Sequence, residues 1–332
     1  MRQRLTGLLL LVAASGLAGA PAGGPWQTSV AVDHPLVGVI WDVKADQAVS
    51  EADLVARLIA FKHVLLGEKH DNPDHHRLQA RLVRALLAAG RRPALAFEMF
   101  DGDDVPAVKS YLASGPADAA GLGPAVGWEK RSWPAWSQYQ QIADLGVETG
   151  LPLVAANLPE RLARAAARQG AAVLPADLRV ELGLDEPLPA ADRAAMAQEI
   201  TDSHCGFAPP EMVERMIVVH RARDAHMARA VVGGATDDGT VLITGFGHAR
   251  IDRAVPARLV RMGISGVVAV AFVEVQSGKQ SVADHAAAFA ASVLPFDYVW
   301  FTPRLDDLDP CEKFRTKLEP LKAVGRPTTP RS

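Results

Sequence analysis

The stretch LLGEKHDNPDHHRLQ, residues 65–79, places Glu68 and His70 beside a pair of imidazoles, His75 and His76. Four more side chains able to do chemistry follow short apolar runs elsewhere. Glu98 follows ALAF, Asn157 follows LVAA, and His248 and Arg250 close VLITGFGHAR. Two carboxylates and two imidazoles in one place have definite uses. Glu68, His70, Glu98 and His248 could ligate a divalent ion such as Zn²⁺, Mn²⁺ or Fe²⁺, which would activate water. Without a metal, two neighbouring acids raise one pKa and leave a proton donor beside a base. The same residue types also make a satisfied internal network that caps helices and pairs with Arg or Lys, and residue type alone leaves that reading open.

Other candidates have weaker context. His75 and His76 open a helix, where adjacent side chains diverge by about 100°; one of them, with Gln79, could face a crevice while the other caps or lies exposed. His220 and Asp224 are one helical turn apart, so Asp224 could orient His220. His204-Cys205-Gly206 reads as a helix end. Trp133, Trp136 and Tyr139 recur every three residues, as core packing or as an aromatic wall for a flat ligand.

The elements that must position these groups can be read from periodicity. Apolar runs at 36–41, 63–67, 93–97, 152–156, 241–244 and 267–275 alternate with helical patterns at 51–61, 74–89, 133–148, 160–169, 190–203 and 210–232. Asp74 is the expected N-cap of the second helix. Ser132, with Pro134 in the first turn, is expected to start the third. Continuous apolar runs between helices imply strands buried on both faces. The expected fold is α/β, three-layered, with a mostly parallel sheet and a helical insertion over about 178–232. Parallel strands share one carboxyl edge, where ligands bind. Glu68, His70, Glu98, Asn157 and His248 would meet there.

At 332 residues the chain is long enough for a sizeable core, and its net charge of −3 gives no bulk attraction to nucleic acid. Arg2 and Arg4, an apolar run over 5–17 and Ala18-Gly19-Ala20 read as a signal peptide over 1–20. A periplasmic or secreted protein is the expectation, and no cysteine near the cleavage site offers lipid attachment. An exported protein could pair its only cysteines, Cys205 and Cys311, but sequence does not give their separation, and Cys311 falls in a tail over 303–332 that reads as loosely ordered. The main domain is expected over 33–302.

GEKHDNPDHHRLQ, LAFEMFD, the Trp-x-x-Tyr segment before GLPLVAANLP, HCG, RARDAHMA and ITGFGHAR occur in this order and resemble the ChaN-like haem-binding uptake family of the Tiki superfamily, related to the erythromycin esterase and TraB groups. The resemblance implies an α/β fold with a helical insertion and a bacterial role in iron or haem acquisition. It also implies haem or another small ligand as cargo, sometimes a homodimer around haem, and an outer-membrane uptake receptor as partner. Related groups use the Glu and His positions for metal-dependent or acid/base hydrolysis, which makes an esterase- or peptidase-type hydrolase the alternative. By motif those positions are Glu68, His70, Glu98 and His248. The family's tyrosine haem ligand is matched to Tyr139, with His75, His76, Asn157 and Arg250 as further contacts. Two departures stand out: there is no lipoprotein cysteine, and His220 replaces a usual Gln, adding a nitrogen donor.

Overall fold

A computed structural model describes residues 25–323. The proposed signal peptide lies outside them, as do the last residues of the tail. One eight-stranded sheet organises the chain: β1 (Ile40–Asp42), β2 (Gln47–Val49), β3 (His63–Glu68), β4 (Ala94–Asp101), β5 (Leu153–Asn157), β6 (Thr240–Gly245), β7 (Val267–Glu274) and β8 (Tyr298–Thr302). Their order is β2-β1-β8-β7-β3-β6-β4-β5. The pairings from β8 through β5 are parallel, and the β1–β2 hairpin adds to β8 antiparallel. The fold is α/β, as the alternation of apolar runs and helices implies.

Side-chain alternation along each strand builds the two cores. Val64, Leu66, Leu95, Phe97, Val241 and Ile243 join one cluster, and Leu65, Ala96 and Leu242 join the other. Helices Glu51–Leu58, Pro73–Ala88 and Trp136–Thr149 cover the first face. Helices Pro210–Gly233 and Val255–Arg261 cover the second. Three layers result. Between β5 and β6 the described chain forms no strand, and Ala176–Glu181, Ala190–Ser203 and Pro210–Gly233 make up the helical insertion. Among the described residues no helix is long and apolar enough to cross a membrane.

Several local expectations are corrected. Asn72, not Asp74, caps the Pro73–Ala88 helix, because Asn72 Oδ1 accepts from the Asp74 N–H. Asp74 instead accepts from the Gln27 and Thr28 N–H groups and from the Thr28 hydroxyl. The third helix starts at Trp136 after Ala135, without a side-chain cap. The two cysteines are joined: Cys205 and Cys311 form a disulfide, their Cα atoms 5.7 Å apart. The reason is that the C-terminal segment folds back on the domain. Glu274 accepts from the Leu305 N–H, and Lys313 pairs with Asp71 and Asp306. Its described part carries a short helix, Pro310–Lys313, capped by Asp309.

Candidate functional site

The strand order places the site. From β3 the chain crosses to β4 and β5, returns to β6 between β3 and β4, and then continues with β7 and β8 on the far side of β3. Winding reverses around β6, and such a switch point opens a crevice at the carboxyl edge. Glu68 ends β3 opposite Gly245, which ends β6, and Glu98 lies in the carboxyl half of β4.

Gly67 has a positional role. A Cβ there would sit 2.8 Å from Ala249 Cβ and 2.9 Å from Phe246 Cα. Its absence lets the Phe246–Ala249 turn, which carries His248, pack directly on β3. Gly245 does the same for His70, whose Nε2 lies 2.9 Å from where a Gly245 Cβ would be.

Two carboxylate-centred networks occupy the edge. Glu68 Oε1 accepts from the Tyr139 hydroxyl at 2.8 Å and lies 2.8 Å from His70 Nδ1; His76 Nδ1 is 2.9 Å from Glu68 Oε2. Burial alone would raise the Glu68 pKa. The His76 charge and contacts with both imidazoles outweigh it and hold the carboxyl well below its usual range. His70 is pushed the opposite way, to about 9: burial opposes its charge, but Glu68 and Glu98 favour it more strongly. Burial, and then the neighbouring Glu68 charge, raise the Tyr139 hydroxyl well above its ordinary value.

In the second network, Glu98 Oε2 accepts from the Thr244 hydroxyl at 2.7 Å and the Gly245 N–H at 2.8 Å. Glu98 Oε1 lies 3.5 Å from His248 Nε2, and His248 Nδ1 lies 2.7 Å from Asp224 Oδ1. Burial disfavours the Glu98 carboxylate, yet His248, His70 and the two hydrogen bonds bring its pKa to about 2. His248 is raised, because Glu98 and Asp224 overcome its burial. The buried carboxyl of Asp224 is itself raised.

The structure thus brings Glu68, His70, Glu98 and His248 to one edge, but as two carboxylate-centred networks. Among the described residues no group of three or more His, Cys, Asp or Glu is arranged to hold a metal ion. The carboxylate oxygens expected to ligate a divalent ion already face internal donors.

A cavity of about 380 Å³ opens between this edge and the helical insertion. His70, His220 and His248 line it together with Met196, Ile200 and Phe246. A second cavity, of about 260 Å³, flanks Glu98 and is bounded by Lys130, Trp133, Asn157 and Arg223. Asn157 donates to the Glu98 carbonyl, which fixes β5 to β4 there.

Four expected ligand contacts lie elsewhere. Tyr139 is fully buried, and its hydroxyl is committed to Glu68. His75 is buried, accepting from the Lys69 N–H and facing the Thr302 hydroxyl. His76 is equally buried and divides its nitrogens between Glu68 and the His70 carbonyl. Neither of the paired histidines is exposed, and Gln79 lies beneath β3, donating to the Leu66 carbonyl. Arg250 points into the second core, where it binds Asp252 and the Phe289 carbonyl. In each case the side chain settles an internal hydrogen-bonding need that only tertiary packing reveals.

Asp224 holds His248 rather than His220. His220 instead stacks on His248, ring centroids 5.6 Å apart, and opens to the cavity. Burial and the nearby His248 charge hold its pKa down to about 3. Trp136 packs with Phe100 and Trp128 in the core, where Trp128 also meets Tyr139, whereas Trp133 lies 4.9 Å from the His70 ring at the site. Sequence reasoning missed Thr244, whose only signal is a hydroxyl immediately before the glycine that ends β6. It also missed Met196 and Ile200, which carry no local signal.

The fold and site define an α/β protein whose helical insertion roofs an imidazole-walled crevice at the switch point of a parallel sheet. The chain belongs to the haem-binding uptake family of the Tiki superfamily, ChaN, matched over residues 54–259. A solved structure described as cofacial haem binding to ChaN of Campylobacter jejuni shares its fold, with a TM-score of 0.61 and 20% identity over 79% of this chain and 95% of that one. The type III effector HopBA1 aligns at a TM-score of 0.39, with 14% identity over 75% and 91% of the two chains. A mutant erythromycin esterase EreC in its open conformation also aligns at 0.39, with 16% identity over 68% and 74%. No curated protein matches the chain.

Proposed function

We propose that this protein is an exported haem-binding protein serving iron or haem uptake, with haem held in the crevice between the sheet edge and the helical insertion. Membership of the ChaN family supports haem as the ligand. The observation that carries the location is the cavity of about 380 Å³, where apolar Met196, Ile200 and Phe246 face three imidazoles. Its volume falls within the usual range for small-molecule sites, and Lys69, Glu199 and Arg253 add charged groups to its wall. Imidazole nitrogen is an established donor to haem iron. The residues present therefore fit a porphyrin with a central metal. The Cys205–Cys311 disulfide supports export, because such bonds persist in oxidising compartments. A homodimer and an outer-membrane receptor belong to the same reading.

Titration of purified protein with haemin tests it. A saturable Soret shift, weakened when Ile200→Asp introduces a charge into the cavity, is the expected result. A shift that never saturates, or one indifferent to Ile200→Asp, overturns the ligand or its location respectively.

A further inference from the structure

We propose that the second cavity, the one flanking Glu98, is a binding site for a small carboxylic acid anchored by the Arg223 guanidinium. The two cavities share no lining residue, so this site stands apart from the haem reading above.

A guanidinium carries five donors and no acceptor, and buried donors are normally answered. Arg77, Arg221, Arg223 and Arg304 each have a buried Nε without a hydrogen-bond acceptor. Three of them are held through their other nitrogens. Arg77 pairs with Asp74, Arg221 donates to the Gly183 and Glu186 carbonyls, and Arg304 pairs with Asp307. The Arg223 side chain makes no hydrogen bond or ion pair among the described residues. It is nevertheless half-buried and lines open space of about 260 Å³. Drawing a charged group out of water without a partner is costly. An anion entering the cavity in front of Arg223 would offset that cost.

The rest of the wall selects the anion. Its acids are already engaged: Glu98 by the Thr244 hydroxyl and the Gly245 N–H, Glu160 by Arg164, and Asp101 by the Asp103 N–H. Arg131 is closed by Asp104. Lys130, whose exposed side chain has no partner among the described residues, is the other open cation of the wall. One half-buried cation helped by one exposed cation suits a single negative charge. A phosphate dianion would meet three carboxylates in the same wall, and like charges repel. A carboxylate, by contrast, can take two parallel N–H bonds from one guanidinium. Trp133, packed edge-on against the His70 ring, and Leu158 offer flat and apolar surface for the body of the acid.

The anchor is stiffly mounted. Arg223 sits within the 24-residue Pro210–Gly233 helix, one residue before Asp224, which holds His248. An occupant of the second cavity would therefore lie beside the imidazole network without entering the first.

Benzoate is the probe, titrated calorimetrically into the full mature protein and followed in parallel by the Trp133 indole N–H resonance. Saturable binding that shifts Trp133 is expected. Arg223→Gln should weaken it about ten- to hundredfold, and Lys130→Gln about two- to fivefold. Arg229→Gln, an equal loss of charge at an exposed position of the same helix, should leave it unchanged. Benzoate that fails to saturate, leaves Trp133 unmoved or binds Arg223→Gln as tightly as wild type overturns the site. Should Arg223→Gln not fold, the exposed Lys130 decides: affinity unchanged in Lys130→Gln overturns the site equally. Inorganic phosphate that binds as tightly as benzoate overturns the choice of a carboxylate. Haemin that displaces benzoate would make the bound carboxylate a haem propionate and overturn the separate ligand.

Discussion

Replacing Glu68 with Gln removes the charge at the centre of the first network and leaves the shape almost unchanged. Glu68 is buried, with Tyr139, His70 and His76 converging on it. Breaking a buried, hydrogen-bonded charge arrangement typically costs about 3–5 kcal/mol. Two features lower that figure. The partners are imidazoles, which can shed a proton rather than remain charged and unpaired. The His70 side chain is 34% exposed, so solvent screens its share. The expected loss near pH 6 is about 2–3 kcal/mol.

The sign of the pH dependence follows from linkage. The His70 pKa is raised from 6.5 to about 9 in the folded protein, so its contribution is complete below 6.5 and is lost as pH rises through about 9. The Glu68 pKa is lowered from 4.5, so its contribution is complete above 4.5 and is lost on acidification. The gap between wild type and Glu68→Gln should be widest between those two unperturbed values. It should shrink to about 1 kcal/mol by about pH 9.5, where ordinary hydrogen bonds remain. Urea unfolding followed by tryptophan fluorescence, with the disulfide intact, measures both points. A variant as stable as wild type near pH 6, or a gap that does not change with pH, would refute the charge-network account.

Three further outcomes are expected. Asp224→Asn should lower the His248 pKa, read by NMR titration of the imidazole; an unchanged titration would show that Asp224 does not sustain the charge. Reduction of the Cys205–Cys311 bond should destabilise the protein by about 2–5 kcal/mol, since it closes a loop spanning 106 positions; urea midpoints that coincide with and without reductant would contradict this. Gly67→Ala should cost about 1–3 kcal/mol by forcing the Phe246–Ala249 turn off β3 and should disturb the His248 resonance. A fully stable variant with native chemical shifts would mean that the close approach is unnecessary.

The parts of the structure legible in the sequence were those with local causes. Parallel strands such as β3 and β6 are short apolar runs because both faces are buried, and they stood out for that reason. The alternation with helices then implied which groups share an edge, so Glu68, Glu98 and His248 could be grouped across 180 positions of chain. β8 was missed although YVWFT is fully buried, because it follows a helix-poor, Ser- and Pro-containing stretch with no helical pattern to frame it. The β1–β2 hairpin was too short to register as two strands. At the site, residue type indicated that chemistry was available but not who pairs with whom. Asp224 serves His248 rather than the nearer His220, and Tyr139 serves Glu68, because those choices depend on how the helices lie over the sheet.

The disulfide divides the site in a way the sheet order conceals. Cys205 and Cys311 close a covalent ring that contains β6, β7 and β8 together with His220, Asp224 and His248, while Glu68, His70 and Glu98 lie outside it. The crevice is therefore a seam between an open N-terminal arm and a cyclised C-terminal half. One backbone cut anywhere inside the ring leaves a single covalent molecule, still able to present its histidines to the arm. A cut between Glu98 and Cys205 releases Glu68, His70 and Glu98 as a separate chain.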